Sequence, residues 1–278
     1  MLALDGRRGA ADGRVEMPVT TARHGGEAVS ERRDEARRQG RIGLGLAAAL
    51  IVAWLALHVA TVFFYSWTPL TVLAAPLLVA MLCWLYVGLF IVAHDCMHGS
   101  LVPFAPRVNR AVGRLCLWLY AGFDFDRLNK EHHLHHRHAG TEQDPDFDAV
   151  HSGSFWRWYV AFFSHYVSWR EISVISAIVW FYLLVLGAPV VNLLVFWSLP
   201  AILSSLQLFY FGTYLPHRPT EQPFQDRHRA HSSTYSWWVS LLTCFHFGYH
   251  HEHHVSPSTP WWRLPVVHRA GIAAQRET

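Results

Sequence analysis

Four long apolar runs alternate with polar stretches along the chain, and their lengths decide which elements can form. Ile42 to Phe64 contains no Asp, Glu, Lys or Arg and is long enough to cross a hydrocarbon core of about 30 Å as a helix. After a turn-like Ser66-Trp67-Thr68-Pro69, the run from Leu70 to Ala93 does the same. A second apolar pair lies near Ile172 to Leu186 and Val190 to Leu215, broken by Gly187-Ala188-Pro189. Its first member is short, so its start is placed nearer Tyr166. Both connections are tight and free of charge, which predicts two helical hairpins and four transmembrane spans. Between the hairpins, His94 to about Ser154 is polar except for Ala111 to Phe123, too short to span and read as an interfacial helix. Aromatics then crowd Phe155, Trp156, Trp158, Tyr159, Phe162 and Phe163, as at a membrane surface.

The ends of the chain read differently. Residues 1–41 carry nine arginines and seven acids without apolar periodicity, so they are expected to be a mobile, solvated tail. They do not have the short charged start and adjoining apolar stretch of a secretory signal. Residues 42–265 form the expected membrane-embedded catalytic domain, and 266–278 a C-terminal tail. The arginines before the first span place the N-terminus in the cytoplasm by the positive-inside rule, and the expected setting is the cell (inner) membrane. Both hairpins then return the chain to that side, at His94 and at Pro216-His217-Arg218.

Composition narrows the chemistry. With 52% hydrophobic and 15% charged residues the chain cannot be largely disordered, and a net charge of +3 gives no nucleic-acid footprint. The four cysteines stand singly, which argues against a disulfide framework or a cysteine-built zinc site. The 20 histidines are the anomaly: seven lie between 94 and 138 and five between 246 and 254. His94 and His98 are spaced i, i+4. His132, His135 and His136 follow i, i+3, i+4, as do His250, His253 and His254. On helices each group shares a face, and the topology brings all three to the cytoplasmic side. Converging neutral imidazoles suit iron, zinc, copper or nickel, and eight ligands overfill one zinc, so two metals fit better. His217, at the cytoplasmic end of the last span, is the expected ninth ligand. The zinc-protease pattern is absent, because His251-Glu252 is followed by His253-His254-Val255. Asp95, Glu131, Asp144, Asp146 and Glu252 are candidates to orient ligand imidazoles from outside, with His138 and His246 in reserve. Isolated histidines such as His58, His151, His165 and His268 are read as surface or hydrogen-bonded residues, and His133 and His251 sit off the clustered faces. A metal transporter is the rival from another class, but it would need ionisable groups along a path through the spans, where His58 stands alone.

The three histidine boxes resemble those of the membrane fatty acid desaturase and hydroxylase superfamily. Four stretches narrow the likeness: HDCMHGSLVP at 94–103, HHRHAGTEQDPDF at 135–147, FGTYLPHRP at 211–219 and CFHFGYHHEHHVSPSTPWWRLP at 244–265. These are similar to the bacterial β-carotene ketolases over about residues 45–265, with Cys96 standing where alanine is expected. The resemblance implies a cytoplasmic-side di-iron oxygenase taking two iron ions and O2. It also implies a carotenoid substrate drawn from the bilayer and an external electron donor such as a ferredoxin or a reductase. The implied reaction is a keto group at C4 of a β-ionone ring by two hydroxylations and loss of water, giving echinenone-, canthaxanthin- or astaxanthin-type products. A fatty acyl desaturase or hydroxylase of the same superfamily is the nearest alternative.

Overall fold

The computed structural model describes the backbone of residues 20–277 and the side chains of residues 30–274. All regular structure in that range is helical. Helix α1 covers Thr20–Phe64 and α2 covers Pro69–Met97. Thr68 caps α2 through a reciprocal pair with Thr71, and Pro69 opens its first turn, where a missing N–H costs nothing. Helix α3, Pro106–Ala121, ends on Gly122 in the left-handed conformation, and α4, Phe125–His138, starts under an Asp124 side-chain cap. Helix α5 covers Phe155–Tyr166, α6 covers Trp169–Val185 and α7 covers Val190–His217. The short helices α8, Trp237–Cys244, and α9, His250–Val255, lead to the C-terminal α10, Leu264–Glu277.

Helix α2 is the centre of the molecule, packed between α1, α3 and α7. Leu82, Tyr86, Leu89 and Val92 of α2 join Trp54 and Val62 of α1, Leu117 and Tyr120 of α3, and Phe196 of α7 in one buried cluster. On the outside, Leu70, Leu73, Leu77, Leu184 and Leu194 are exposed, a belt that water would penalise and lipid would cover.

Among the described residues, three helices are long and apolar enough to cross a membrane: Ser30–Phe64, Pro69–Met97 and Val190–His217. The expected third span is instead part of a broken pair, since α5 and α6 meet at 81°. The break has a local cause. Ser168 takes an extended backbone and caps α6, while Glu171 accepts the Ser168 N–H at 3.0 Å, so the helix restarts there. Helix α7 is itself irregular, with π-helical turns at Leu194–Ser198 and Tyr210–Tyr214.

Two stretches read from the sequence as tails are helical. Residues 20–41 continue α1, and residues 266–277 lie within α10. Extending an existing helix avoids the nucleation cost, and the Ala, Glu and Arg of this segment favour it. The extension is also anchored: Gln39 Nε2 donates to the Ser100 carbonyl at 2.6 Å, and Arg263 pairs with Glu35 at 2.8 Å. The first 19 residues of the expected tail lie outside the described residues.

Candidate metal centre

Four elements deliver the imidazoles. The end of α2 carries His94, with His98 as its C-cap; α4 carries His132, His135 and His136; α7 ends on His217; and α9 carries His250, His253 and His254. The i, i+3, i+4 spacings work as expected, each placing its rings on one helical face. The chain then divides them into two groups: His94, His98, His132, His136 and His253 in one, and His135, His217, His250 and His254 in the other. Within each group the ligand atoms lie within 4.8 Å of one another. All nine histidines singled out from the sequence fall in these groups.

The placement of α9 depends on a turn that the spacing rules do not contain. Helix α8 ends with Phe245 and His246 at φ of 47° and 64°, a left-handed conformation that non-glycine residues seldom take. Phe245 is held there by burial. Its ring stacks on Trp84 with centroids 4.4 Å apart and lies over Gly88, where an added Cβ would come within 2.8 Å of it. Gly88 thus opens the seat on α2 that turns the chain into α9.

The rings meet through Nε2. His98 and His132 approach to 2.7 Å, His132 and His136 to 3.1 Å, and His136 and His253 to 3.0 Å. In the other group His250 lies 3.0 Å from both His217 and His254, and His135 lies 3.2 Å from His254. Two imidazoles bound at right angles to one ion, each at about 2.1 Å, would be separated by about 3.0 Å. His94 has both ring nitrogens buried without a hydrogen bond, an arrangement that costs about 1–3 kcal/mol unless a cation takes the lone pair. The donor set therefore fits two metal ions.

Electrostatics favour the ligating form. Burial, reinforced by neighbouring imidazoles, holds His132, His136, His250, His253 and His254 well below the ordinary imidazole range, and His98 is lowered to about 3. They are neutral, as ligands must be. His135 differs. Burial pushes it down, but the Asp144 carboxylate and then Asp146 raise it above its ordinary value. Its Nδ1–H donates to Asp144 at 2.9 Å, leaving Nε2 free toward its group. Asp144 also accepts the amide N–H of Gly140 at 2.8 Å, where φ is +65°. The Gly140 carbonyl accepts from Arg229 at 2.7 Å, and the Arg229 carbonyl accepts Nδ1–H of His217 at 2.8 Å. One chain of hydrogen bonds thereby fixes two ligands from different helices, the arrangement that tunes metal-bound histidines.

The outer carboxylates sort unevenly. Asp144 binds His135 directly, and Asp146 lies 3.8 Å from it while accepting a hydrogen bond from the Tyr166 hydroxyl. Asp95 accepts the Trp261 N–H at 3.2 Å and stands 3.8 Å from His94. Three of the remaining candidates make other contacts. Glu131 pairs with His165 at 3.4 Å, Glu252 is taken by Ser232 and His268, and His246 stacks between Tyr249 and Trp261. His138 sits on the α4 turn beyond the clustered face and belongs to neither group. For Glu131 and Glu252 the reason is directional: a residue next to a ligand on a helix points about one hundred degrees away from it, toward other neighbours. His133 and His251 also stay outside, bonded to the Asn129 carbonyl and to Asp226. Cys96 is buried against α3 beneath Gly113, away from both groups.

A cavity of about 400 Å³ ends on the imidazoles. Its inner wall includes His94 and His132 of one group and His135 and His250 of the other, and its sides are Phe90, Phe123, Phe162, Trp197 and Leu208. The sequence assigns none of these apolar residues, nor Arg229, to a site: the first are ordinary apolar residues, and Arg229 acts on partners distant in the chain, its guanidinium on the Gly140 carbonyl and its own carbonyl on His217.

Comparison with known proteins adds a lineage. The fatty acid desaturase family profile matches residues 66–171 and 164–277. A β-carotene ketolase of Paracoccus sp. (strain PC1) is 52% identical over 231 residues, covering 83% of this chain and 93% of that protein. A β-carotene ketolase of Haematococcus lacustris is 37% identical over 256 residues, covering 82% and 79%. A zeaxanthin 4-ketolase of Chlamydomonas reinhardtii is 42% identical over 190 residues, covering 65% of this chain and 41% of that protein.

Proposed function

The chain belongs to the fatty acid desaturase family and within it to the β-carotene ketolases, and from that premise we propose that it is a membrane oxidoreductase that installs a keto group at C4 of a carotenoid ring. The observation that carries this reading is the cavity: apolar along its sides and closed at its inner end by imidazoles of both groups. A bilayer-dissolved hydrocarbon needs such a site, because only apolar walls can replace lipid around it.

His94, His98, His132, His136 and His253 would hold one iron, and His135, His217, His250 and His254 the other. Bound there, the irons supply the dioxygen chemistry that replaces an allylic C–H bond by C–OH. Twice repeated at one carbon, this consumes two O2, four electrons and four protons, and the geminal diol then loses water to leave the ketone. The protein's own contribution is placement. Phe90, Phe123 and Trp197 confine the substrate and exclude water, the inner end of the cavity admits the ring toward the imidazoles, and Asp144 retains the Nδ1 proton of His135 so that this ring presents its lone pair inward. The electrons come from a separate protein or reductase on the cytoplasmic side, where the basic tail, both hairpin exits and all nine imidazoles belong in the four-span topology.

The test is expression in cells that make β-carotene, with chromatographic analysis of pigments and lipids and iron analysis of the purified protein. Keto-carotenoids and about two irons per chain are expected. Unchanged pigments with new double bonds or hydroxyls in acyl chains would replace this reading by the acyl desaturase or hydroxylase one.

A further inference from the structure

The cavity is apolar but not featureless. Five hydroxyl side chains reach its wall: Tyr120, Tyr166, Ser198, Ser205 and Thr213. Three are already spent within the protein. Tyr120 pairs with Ser204 at 3.0 Å, where Tyr120 is the donor because Ser204 gives its own hydrogen to the Ala201 carbonyl; Tyr166 donates to Asp146, and Ser205 pairs with Tyr159 at 2.7 Å. Ser198 and Thr213 have no hydrogen-bond partner among the described residues. They stand at opposite ends, because fifteen residues of α7 separate them, roughly 20 Å along the axis. Thr213 is the one at the metal end, four positions and one turn before His217.

Thr213 departs from the commonest behaviour of helical hydroxyls among the described residues. Thr61, Thr243, Ser204 and Ser205 all turn back to donate to a carbonyl three or four residues earlier, the common resolution for a hydroxyl in an apolar helix. Thr213 makes no such bond, although it is only 8% exposed. It lies in the π-helical turn Tyr210–Tyr214, a local widening that often accompanies a functional position. A buried residue on a cavity wall whose hydroxyl has no partner within the protein can offer it to a ligand.

We propose that Thr213 is a specificity-determining residue that hydrogen-bonds a hydroxyl at C3 of the substrate ring and so sets how well 3-hydroxylated rings compete with unsubstituted ones. This rests on the ketolase reading above. The chemistry sets the position: C3 is bonded to C4, so when C4 faces the imidazoles a C3 hydroxyl must lie at the same end of the cavity. Ser198 is too far along α7 to meet it, and the Tyr166 hydroxyl is engaged with Asp146. An unsubstituted ring leaves Thr213 as it stands, whereas a hydroxylated ring satisfies both hydroxyls.

The test is a competition in membranes containing the full-length protein, supplied with equal amounts of β-carotene and its 3,3′-dihydroxy derivative. The ratio of 4-keto products from the two substrates is independent of how much protein folds. The wild type should ketolate both. Thr213→Val should lower the hydroxylated-to-unsubstituted product ratio about tenfold, the effect of one neutral hydrogen bond lost from a buried hydroxyl. Thr213→Ser should keep that ratio within about twofold of wild type. If Thr213→Val gives too little product to measure, Thr213→Ala is read against Thr213→Ser in the same way. An unchanged ratio in the variant lacking the hydroxyl overturns the proposal, as does a wild type that leaves hydroxylated rings untouched. A wild type that ketolates neither substrate instead overturns the ketolase reading itself.

Discussion

At the scale of single residues, the site depends on bonds made behind the ligands. Asp144 is the clearest case, since it joins His135 on α4 to the Gly140 turn and, through Arg229, to His217 on α7. Asp144→Asn keeps the shape but replaces an anionic acceptor by an amide, so His135 loses its charge-assisted bond and its fixed tautomer. A fall of about 10–100-fold in metal affinity or keto-carotenoid yield is expected, measured as iron content and pigment in the same preparation. Full iron and full yield would mean that the carboxylate is dispensable. Asp144 was legible in the sequence because carboxylates near a histidine box have an obvious partner. Arg229 was not, because its carbonyl does the binding and its position follows from a left-handed backbone at φ 42°.

At the scale of elements, the third histidine box is positioned by how α8 rests on α2. Two left-handed residues cost about 1–3 kcal/mol each, and burial of Phe245 against Trp84 and Gly88 offsets that cost. Gly88→Val would place new carbons where the Phe245 ring lies. Overpacking of this kind typically costs about 1–3 kcal/mol, and it displaces the turn that leads into α9. The expected result is loss of most keto product together with a lower unfolding temperature, with Gly88→Ala intermediate. Wild-type yield from Gly88→Val would show that α9 is held by its imidazoles alone. In the sequence Gly88 is one small residue among many in an apolar run, and its role exists only when Phe245, 157 residues away, arrives above it. The break between α5 and α6 has the opposite character: its Ser168-Glu171 capping pair is local and readable, although the apolar run around it signals an unbroken span.

At the scale of the whole molecule, α2, α4, α7 and α9 converge through neutral imidazoles, so folding and metal binding are linked. Removing metal should lower the unfolding temperature of the detergent-solubilised protein, and adding iron should restore it. The metal-free protein should also be acid-sensitive. His98 is lowered to about 3 in the fold, and His132, His136, His250, His253 and His254 also lie well below the unfolded value of about 6.5. Below pH of about 6.5 the unfolded chain takes up protons that the folded one refuses, so stability falls as pH falls. Thermal unfolding of chelated protein between pH 8 and pH 5 should show this decline, and a flat or opposite trend would mean that the imidazoles are not held neutral by the fold.

The sequence by itself determined what is periodic or local. Apolar runs of sufficient length gave the membrane helices, and the three- and four-residue histidine spacings put each set of rings on one face whatever lies around it, because helix geometry repeats every 3.6 residues. Only the tertiary structure decided what depends on helices crossing. That includes the five-and-four division of the ligands, with neighbours His135 and His136 on α4 sent to different groups, the cavity that ends on both groups, and the place of Thr213 on its wall. These are relations between segments far apart in the chain, set by how side chains pack between helices, and no pattern within one segment encodes them.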